Sequence, residues 1–409
     1  MKYVSLSFVA LAAGSCLAAS ADAPVGVSGV SRAPLTVISD TEIYVGDERF
    51  HSWAEVADSG HFHTESTRCA KPAQFALSDA VLRAPSDCSF SNTSILPDYD
   101  PSVDLYRIPV VVHVIQRTNG TGFLSESRVQ SQIDILNEDF LAISGTLGAG
   151  GTDSQIEFYL ATEDPSGSPT NGITYSSNNT WFNDGGSYWN SLAWDPDRYL
   201  NIYTNDASGN LGYVPFLPQT SPSSVGGSSD RVVVLYSSFG RNAPLTPFHL
   251  GRTTTHEVGH YLGLDHTFAS GGCPSAGGCS NNGDLICDTN PESSPTFGCP
   301  SSRSSCGFAA PKDNYMDYSD DICMTKFTPD QSNRMRCTLL NYRDEVYSVV
   351  SSGCIGDCDG NGSFNVDDVD CFVAAFTGGD LASADCDGSG GLNIDDVDCF
   401  IDAFTNQCQ

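Results

Sequence analysis

The segment HEVGHYLGLDH at residues 256–266 decides how this sequence is interpreted. On a helix, His256 and His260 lie one turn apart on the same face, so both imidazoles can reach one Zn²⁺ at about 2.0 to 2.1 Å. Gly263 can adopt a left-handed conformation that ends the helix and turns His266 back as a third ligand. Three histidine ligands leave a fourth position for water, so the segment predicts a catalytic rather than a structural zinc ion.

Two further parts of the sequence supply groups that suit hydrolysis. Glu257 follows the first histidine and can lean over the metal without binding it, which is the position of a general base for a water molecule. The segment NYMDY at residues 314–318 supplies Met316 as a soft apolar floor beneath the imidazoles and Tyr318 as a hydrogen-bond donor to an oxyanion. An isolated HExxH pattern occurs by accident in many helices, but the longer pattern followed by this segment predicts a catalytic site.

The hydrophobic pattern before the zinc motif predicts an α/β unit. Residues 108–115 are a nearly continuous β-branched run, which is typical of a buried strand. Ser125 can cap a helix in which apolar residues recur at three- and four-residue spacing up to Phe140. The other predicted elements are strands at 199–204 and 231–236, a short edge strand at 209–214, and a helix at about 250–262. The long loop region that follows, at 267–313, must be stapled or metal-bound to stay ordered.

These segments together resemble the metzincin clan of zinc endopeptidases and, within it, the pappalysin family. The resemblance covers roughly residues 100–345. It rests on LGRTTT before the zinc motif, on the strand and helix at 108–140 with its QIDILNEDF, and on NYMDY followed by DICM at 321–324 and FT at 327–328. The family implies an α/β fold class: an α+β metzincin catalytic domain with a twisted mixed sheet, two long helices, a zinc cleft and a smaller C-terminal subdomain.

The resemblance also implies the role of each matching residue. It assigns one Zn²⁺ to His256, His260 and His266, the general base to Glu257, the Met-turn to Met316 and the oxyanion partner to Tyr318. Family members further bind Ca²⁺ near the segment that matches GDLICDT at residues 283–289. The inserted Cys-rich stretch at 273–279 departs from the shorter loops of the family, so individual calcium ligands there stay open.

Composition and charge narrow the class of protein. The chain has 19 Lys and Arg against 50 Asp and Glu, a net charge of -31, so its surface repels phosphate backbones and nucleic-acid partners are excluded. Its 16 cysteines indicate an oxidising compartment. We therefore expect a secreted protein, extracellular or associated with the cell surface. The resemblance to zinc endopeptidases implies that its substrates are proteins or peptides.

The sequence divides into four parts. Residues 1–21 have a basic start, an apolar run and a small-residue cleavage pattern, and predict a signal peptide. This run is shorter than the roughly 20 apolar residues of a membrane span, which is why no span is predicted; a lipidated Cys16 is the alternative. Residues 22–100 are predicted to be a pro-segment ending in the linker at 96–101, residues 101–350 the catalytic domain, and residues 354–409 a separate module.

Cysteine parity suggests how the precursor is kept inactive. Removal of Cys16 with the signal peptide leaves 15 cysteines, so one thiol is unpaired or held by metal. Cys69 resembles the pro-segment cysteine that in related enzymes takes the fourth zinc position and excludes water, which makes the precursor latent. The alternative is a disulfide between Cys69 and Cys88.

The C-terminal module contains an acidic repeat. The segment DCDGNGSFNVDD at 357–368 recurs 28 positions later as DCDGSGGLNIDD at 385–396, and 12 Asp stand in residues 354–409 without any Lys, Arg or Glu. Oxygen ligands at loop positions 1, 3, 5, 9 and 12, with Gly at position 6, suit Ca²⁺. The predicted ligands of about two Ca²⁺ are Asp357, Asp359, Asn361, Asn365 and Asp368, and Asp385, Asp387, Ser389, Asn393 and Asp396. One short helix after each loop makes this a dockerin-like pair, which implies a cohesin-like docking partner.

Two classes of function remain. The first is a secreted zinc-dependent endopeptidase that hydrolyses peptide bonds of protein substrates and is made as a latent precursor. The second is a surface-docked binding protein with a vestigial zinc domain. Loss of a zinc ligand or of Glu257 would favour the second, but all four residues are present.

Overall fold

The longest strand, β5 (Asp104–Gln116), lies inside the main sheet and pairs with several other strands. The computed structural model describes residues 33–70, 88, 104–269, 273, 283–351, 358, 366–384, 386 and 391–405. Every residue from Val110 to Ile115 is buried, because this part of the strand is covered on both faces. The strand extends beyond the predicted 108–115 because its first residues also find a partner strand.

The main sheet is mixed, as the sequence analysis predicted. Three parallel strands form its middle, with Val112 of β5 opposite Ile202 of β8 and Ile202 opposite Val232 of β10. The short β9 follows next to β10 and runs antiparallel to it. The other strands pair with β5. The bounds are β6 (Ile156–Leu160), β7 (Ile173–Ser177), β8 (Leu200–Asn205), β9 (Gly212–Tyr213), β10 (Val232–Leu235) and β13 (Ser348–Ser351).

Two helices cover the sheet beside the zinc motif. The backing helix, Glu126–Phe140, begins at Ser125, whose hydroxyl accepts a hydrogen bond from the Arg128 amide at 3.2 Å, as predicted. The active-site helix, Arg252–Tyr261, is shorter than the predicted 250–262 because Gly251 precedes it in a left-handed conformation. The remaining helices within the described residues before position 350 are Trp53–Asp58, Glu65–Arg68, Asn179–Phe182, Trp189–Leu192 and Pro329–Tyr342, with 3-10 turns at Leu147–Gly150, Ala207–Gly209, Pro222–Ser224 and Tyr236–Ser238.

Residues 35–70 form structure that the sequence analysis did not predict. A three-stranded antiparallel sheet contains β1 (Leu35–Ser39), β2 (Glu42–Val45) and β3 (Glu48–Phe50). The chain then continues to β4 (Cys69–Ala70), which joins the main sheet by pairing with β9 in parallel. The weak periodicity of this region reflects strands of three to five residues, too short to show a clear alternation.

Disulfides hold the long loop region, as the sequence analysis predicted. Cys273 pairs with Cys306, and Cys299 pairs with Cys323. The loop also contains a short hairpin, β11 (Ser304–Ser305) with β12 (Phe308–Ala309). A region with little regular secondary structure is thereby closed into small loops, which limits the conformations open to it.

A further disulfide, Cys88 to Cys337, joins residues 249 positions apart. Both cysteines are fully buried, and Cys337 lies on the helix Pro329–Tyr342. This pairing rules out the alternative disulfide between Cys69 and Cys88, because each sulfur forms one such bond. Cys69 is instead a free, buried cysteine among the described residues.

The C-terminal module contains the helices Val366–Gly378, Leu381–Ala384 and Ile394–Thr405. Equivalent residues of the two repeats, Phe372 and Phe400, stack with ring centroids 4.1 Å apart. Each repeat carries its own disulfide, Cys358–Cys371 and Cys386–Cys399, with the same separation of 13 residues. Across the described part of the whole chain, we find no helix with the length and apolar character needed to cross a membrane.

Candidate metal centre and the contacts of residues 34–70

The local backbone of the zinc motif follows the sequence prediction. His256 and His260 lie on the buried active-site helix with ring centroids 4.7 Å apart. Gly263 has φ +90°, and a Cβ there would lie 2.3 Å from Nε2 of Gln219 and 2.4 Å from Oγ1 of Thr338. A glycine is therefore required both by the conformation and by the space at the point where the chain turns.

The turn after Gly263 brings three imidazoles to one point. Nε2 of His256 lies 3.1 Å from Nε2 of both His260 and His266, and the latter two atoms are 3.0 Å apart. The Nδ1 atoms of His256 and His260 face the carbonyl oxygens of Tyr315 and Leu264 at 2.6 and 2.7 Å. Since only a protonated nitrogen can donate to a carbonyl, Nδ1 carries the proton and Nε2 presents its lone pair.

This donor set fits a divalent metal such as zinc. Three converging lone pairs repel one another unless a cation lies between them, and neutral imidazole is a preferred zinc ligand. Burial lowers the pKa of His256 well below its ordinary value and that of His260 to about 4, so both rings are neutral at physiological pH. Together with the Cys69 thiol, the possible ligand atoms of the three histidines lie within 4.8 Å of one another.

Met316 and Tyr318 lie beside the imidazoles. Met316 is fully buried, and a Cβ on Gly259 would stand 2.6 Å from its sulfur, so the glycine inside HEVGH allows the helix to approach the methionine turn. The Tyr318 ring lies 4.9 Å from the ring of His266 and 5.7 Å from that of His256. Both predicted residues are therefore within the site.

Glu257 faces the free cysteine Cys69. The Cys69 sulfur lies 3.5 Å from Oε2 of Glu257, and both side chains are buried. Burial raises the pKa of the Glu257 carboxyl well above its usual range, and burial and then the nearby carboxyl do the same for the Cys69 thiol. A cation at the imidazoles opposes both shifts, because it favours the negative form of each group.

Strand β9 lies directly against the Glu257 carboxyl. A Cβ on Gly212 would lie 2.7 Å from Cγ and 2.8 Å from Oε1 of Glu257, so a larger residue there would displace the carboxyl. Gly212 also pairs with Cys69 in the parallel β4–β9 ladder. The position of Cys69 is thus set by backbone pairing with β9, the strand that borders the proposed base Glu257.

Arg68, the residue before Cys69, is fixed in position by contacts with distant parts of the chain. Its guanidinium donates to the carbonyl oxygen of Ser319 and stacks 3.9 Å above the Phe248 ring. Desolvation lowers the pKa of Arg68, while the negative charge of Asp321 opposes that change. The residue next to Cys69 is therefore fixed by one hydrogen bond, one ring and one buried carboxylate.

A second set of contacts is made by residues that precede Arg68 in the chain. Asp40 accepts hydrogen bonds from the Tyr236 hydroxyl at 2.5 Å and from Nε1 of Trp53 at 3.1 Å, and the Trp53 and Tyr236 rings pack edge to face. His61 bonds the carbonyl oxygen of Gly209 at 3.2 Å. Residues 34–70 thus contact the zinc-binding part of the chain at several separate places.

Sequence reasoning missed Arg68, Gly212 and Asp139. Asp139 is a fully buried carboxylate of the backing helix. The feature of the sequence that could have revealed Asp139 is an acidic residue next to Phe140, on the otherwise apolar face of a predicted amphipathic helix. Arg68 and Gly212 carried no comparable signal, because their roles depend on residues far away in the sequence.

Only part of the predicted calcium set lies within the described residues. Asp368, Asn393 and Asp396 are described, and both aspartates are fully buried, with Asp396 accepting a hydrogen bond from the Asn393 amide at 2.8 Å. The remaining predicted ligands, Asp357, Asp359, Asn361, Asn365, Asp385, Asp387 and Ser389, lie outside the described residues.

The fold and the three-histidine centre define a zinc endopeptidase of the metzincin type, and comparisons with known proteins agree. Residues 187–340 match the Peptidase M43 family model, which is described as pregnancy-associated plasma protein-A. The chain is 35% identical over 244 residues to extracellular metalloprotease 1 of Coccidioides posadasii, covering 58% of this chain and 78% of that protein. It is 31% identical over 283 residues to an extracellular metalloprotease of Podospora anserina, covering 67% and 85%.

Two solved structures are also similar. Mirolysin in complex with a compound is 34% identical, with a TM-score of 0.50, and the match covers 59% of this chain and 96% of that one. A promirolysin mutant of Tannerella forsythia is 32% identical, with a TM-score of 0.51, and covers 63% and 86%. The chain therefore belongs to the pappalysin family of metzincin metalloendopeptidases.

Proposed function

We propose that this chain is a secreted zinc endopeptidase, made as a latent precursor, in which Glu257 is the general base. The observation that carries this proposal is the grouping of three buried imidazoles with Glu257 and Cys69 around one point. The relatives named extracellular metalloproteases support secretion, and the similarity to promirolysin supports a precursor. A vestigial zinc domain is disfavoured because no predicted ligand is displaced from the site.

The proposed mechanism assigns a task to each residue. His256, His260 and His266 would hold zinc, which when bound acidifies water and polarises a carbonyl group. Glu257 takes a proton from the attacking water and passes it to the departing amine nitrogen. Tyr318 places its hydroxyl beside the imidazoles, where it can donate to the negative oxygen that develops on the scissile carbonyl carbon.

Latency follows from the position of the pro-segment. Cys69 stands among the zinc ligands and beside Glu257, so it takes the place that water needs. Cys69 and Ala70 also occupy the free edge of β9, to which an extended peptide substrate could add as a strand. Release of residues before about position 70 is therefore required for both water and substrate to enter.

A digestion experiment tests the proposed activity. Chain from which the pro-segment has been removed is incubated with a peptide library, and new termini are identified by mass spectrometry, before and after metal chelation and zinc addition. We expect internal cleavage that disappears on chelation and returns with zinc. An absence of new termini in the zinc-loaded, processed chain would reject the assignment.

For the C-terminal module we propose binding of about two Ca²⁺ and attachment to a docking partner. The repeated acidic loops end at buried Asp368 and Asp396, and a buried carboxylate needs a cation or several hydrogen bonds. Val373 and Ile401 occupy equivalent positions in the two repeats, and each is 51% exposed. An exposed apolar residue repeated in this way supports a protein partner for the module.

Calcium uptake gives a direct test of this module. Replacing both Asp368 and Asp396 by asparagine in the full chain is expected to lower the calcium bound by about two ions, because each loop loses a charged ligand. Calorimetry on both chains measures the difference and leaves calcium bound elsewhere unaffected. Equal uptake by the two chains would reject the proposed loops without bearing on the protease assignment.

A further inference from the structure

Asp139 is a fully buried carboxylate near the end of the backing helix. It accepts three hydrogen bonds, from Nη2 of Arg252 at 2.9 Å, from the Thr255 hydroxyl at 2.6 Å and from the Tyr315 hydroxyl at 2.7 Å. All three donors are themselves buried or nearly so. None of the three is local to Asp139 in sequence, since the nearest is 113 positions away.

Two of these donors stand next to parts of the metal centre. Thr255 directly precedes His256 on the active-site helix. Tyr315 directly precedes Met316, and the carbonyl oxygen of Tyr315 faces Nδ1 of His256 at 2.6 Å. Asp139 is therefore bonded both to the backbone segment that carries His256 and to the residue whose carbonyl orients the His256 ring.

We propose that Asp139 is a positioning residue for the metal ligand His256. Because the Tyr315 carbonyl accepts the Nδ1 proton, the location of that carbonyl sets the direction in which Nε2 presents its lone pair. The Asp139 carboxylate accepts hydrogen bonds from both Tyr315 and Thr255, and so connects the backing helix, the active-site helix and the methionine turn. Loss of these hydrogen bonds lets the Tyr315 carbonyl and the His256 ring move apart, and zinc binding weakens.

The rival explanation is that Asp139 only neutralises the buried charge of Arg252. An ion pair with Arg252 would satisfy that need without either hydroxyl, and Arg252 also donates from Nη1 to the Leu250 carbonyl at 2.7 Å. Two of the three bonds to Asp139 serve residues that adjoin the metal centre instead. The two explanations differ in what Tyr315→Phe does, because that change leaves the Arg252 pair intact.

Zinc affinity of the full chain distinguishes the explanations. We expect Asp139→Asn to raise the zinc Kd by about 10- to 100-fold, the range found when a group that orients a metal ligand is lost. Tyr315→Phe should raise the zinc Kd by a smaller factor and alter the visible absorption of the cobalt-substituted chain. The double variant should be no weaker than Asp139→Asn alone, since both changes break one connection.

The matched control is Asp230→Asn, which removes another buried carboxylate paired with an arginine, Arg343. The Asp230 carboxylate accepts hydrogen bonds from the Arg343 guanidinium and from the Gly226 amide, and neither donor is an imidazole. We expect this control to lower thermal stability while leaving the zinc Kd and the cobalt spectrum close to those of the unaltered chain. All variants keep Cys69, so any thiol ligation is common to them.

Each outcome decides the matter. Unchanged zinc Kd and cobalt spectrum in Tyr315→Phe and in folded Asp139→Asn would overturn the proposal, as would an equal loss of affinity in Asp230→Asn. Should Asp139→Asn not fold, Tyr315→Phe alone decides. The inference rests on the proposed zinc site but not on hydrolysis, so failure of the unaltered chain to bind zinc would reject the proposed function, whereas unaltered binding by the variants would reject only the role of Asp139.

Discussion

Replacing Glu257 by glutamine is expected to lower peptide-bond hydrolysis by at least about 100-fold while zinc content stays near one per chain. Glutamine has nearly the same shape as glutamate, so it fits beneath Gly212, where the side chain has little free space. It cannot accept a proton from water, however, and the three imidazoles are untouched. Steady-state rates on a peptide substrate and metal analysis of the same sample measure the two quantities.

The chain offers a control for this substitution at Glu163, an exposed glutamate outside the site. Glu163→Gln changes the net charge by the same amount and should leave both rate and zinc content unaltered. Comparable hydrolysis by Glu257→Gln and by the unaltered chain would contradict the assignment of the base. Loss of zinc from Glu257→Gln would instead show that this carboxylate contributes to metal binding.

The parts of the site that could be predicted from the sequence are those set by local geometry. Two histidines four residues apart must share a helix face, and Gly263 followed by His266 turns the chain back within one short segment. The observed turn at Gly263 and the convergence of the three Nε2 atoms follow from these spacings. The buried strand β5 was predictable for the same reason, since a continuous β-branched run is a local signal.

The parts that could not be predicted depend on contacts between distant residues. Asp139 meets Tyr315 across 176 positions, and Arg68 meets Ser319 across 251. Cysteine parity predicted one unpaired thiol, but a count cannot show which cysteines are neighbours in space, so the Cys88–Cys337 bond stayed open. No periodicity records such pairs, because each depends on how whole elements pack.

That disulfide leads to the second large effect, which concerns processing. A single cut between residues 88 and 104 is expected to leave the precursor latent, whereas a single cut between residues 70 and 88 is expected to activate it. After the first cut, residues 34–70 stay joined through Cys88 to Cys337 of the zinc-binding part of the chain. A covalently held segment rebinds as though at millimolar concentration, so Cys69 returns to the metal centre.

The cut between residues 70 and 88 has the opposite result, because no covalent bond then retains residues 34–70. Cys69 is free, and the contacts of Arg68, Asp40 and His61 are non-covalent. Dilution can therefore separate residues 34–70 from the cleft, while Cys88 remains part of the active chain. The sequence predicts a processing site in the linker at 96–101. Cleavage there alone would therefore not activate the precursor.

Two full-length variants test this, each with one inserted recognition sequence for a specific protease, after residue 80 or after residue 98. After cleavage, we expect at least about 10-fold more peptide hydrolysis from the variant cut after residue 80 than from the variant cut after residue 98. Mass spectrometry under non-reducing conditions should show residues 34–70 still attached only in the variant cut after residue 98. The control carries Cys88→Ser and Cys337→Ser with the site after residue 98. It should become active when cut, since removing the disulfide removes the tether.

The two measurements separate the possible failures. Equal activation by both cuts, with the segment still attached by mass, would show that attachment does not restore inhibition and that Cys69 is held too weakly to compete with substrate. Release of the segment after the cut at residue 98, without reduction, would show that Cys88 and Cys337 are not bonded in the folded precursor. Activation of the tethered form by Cys69→Ala alone would place the inhibition in the thiol rather than in the strand pairing of Cys69 and Ala70 with β9, because that substitution removes the sulfur and keeps the backbone.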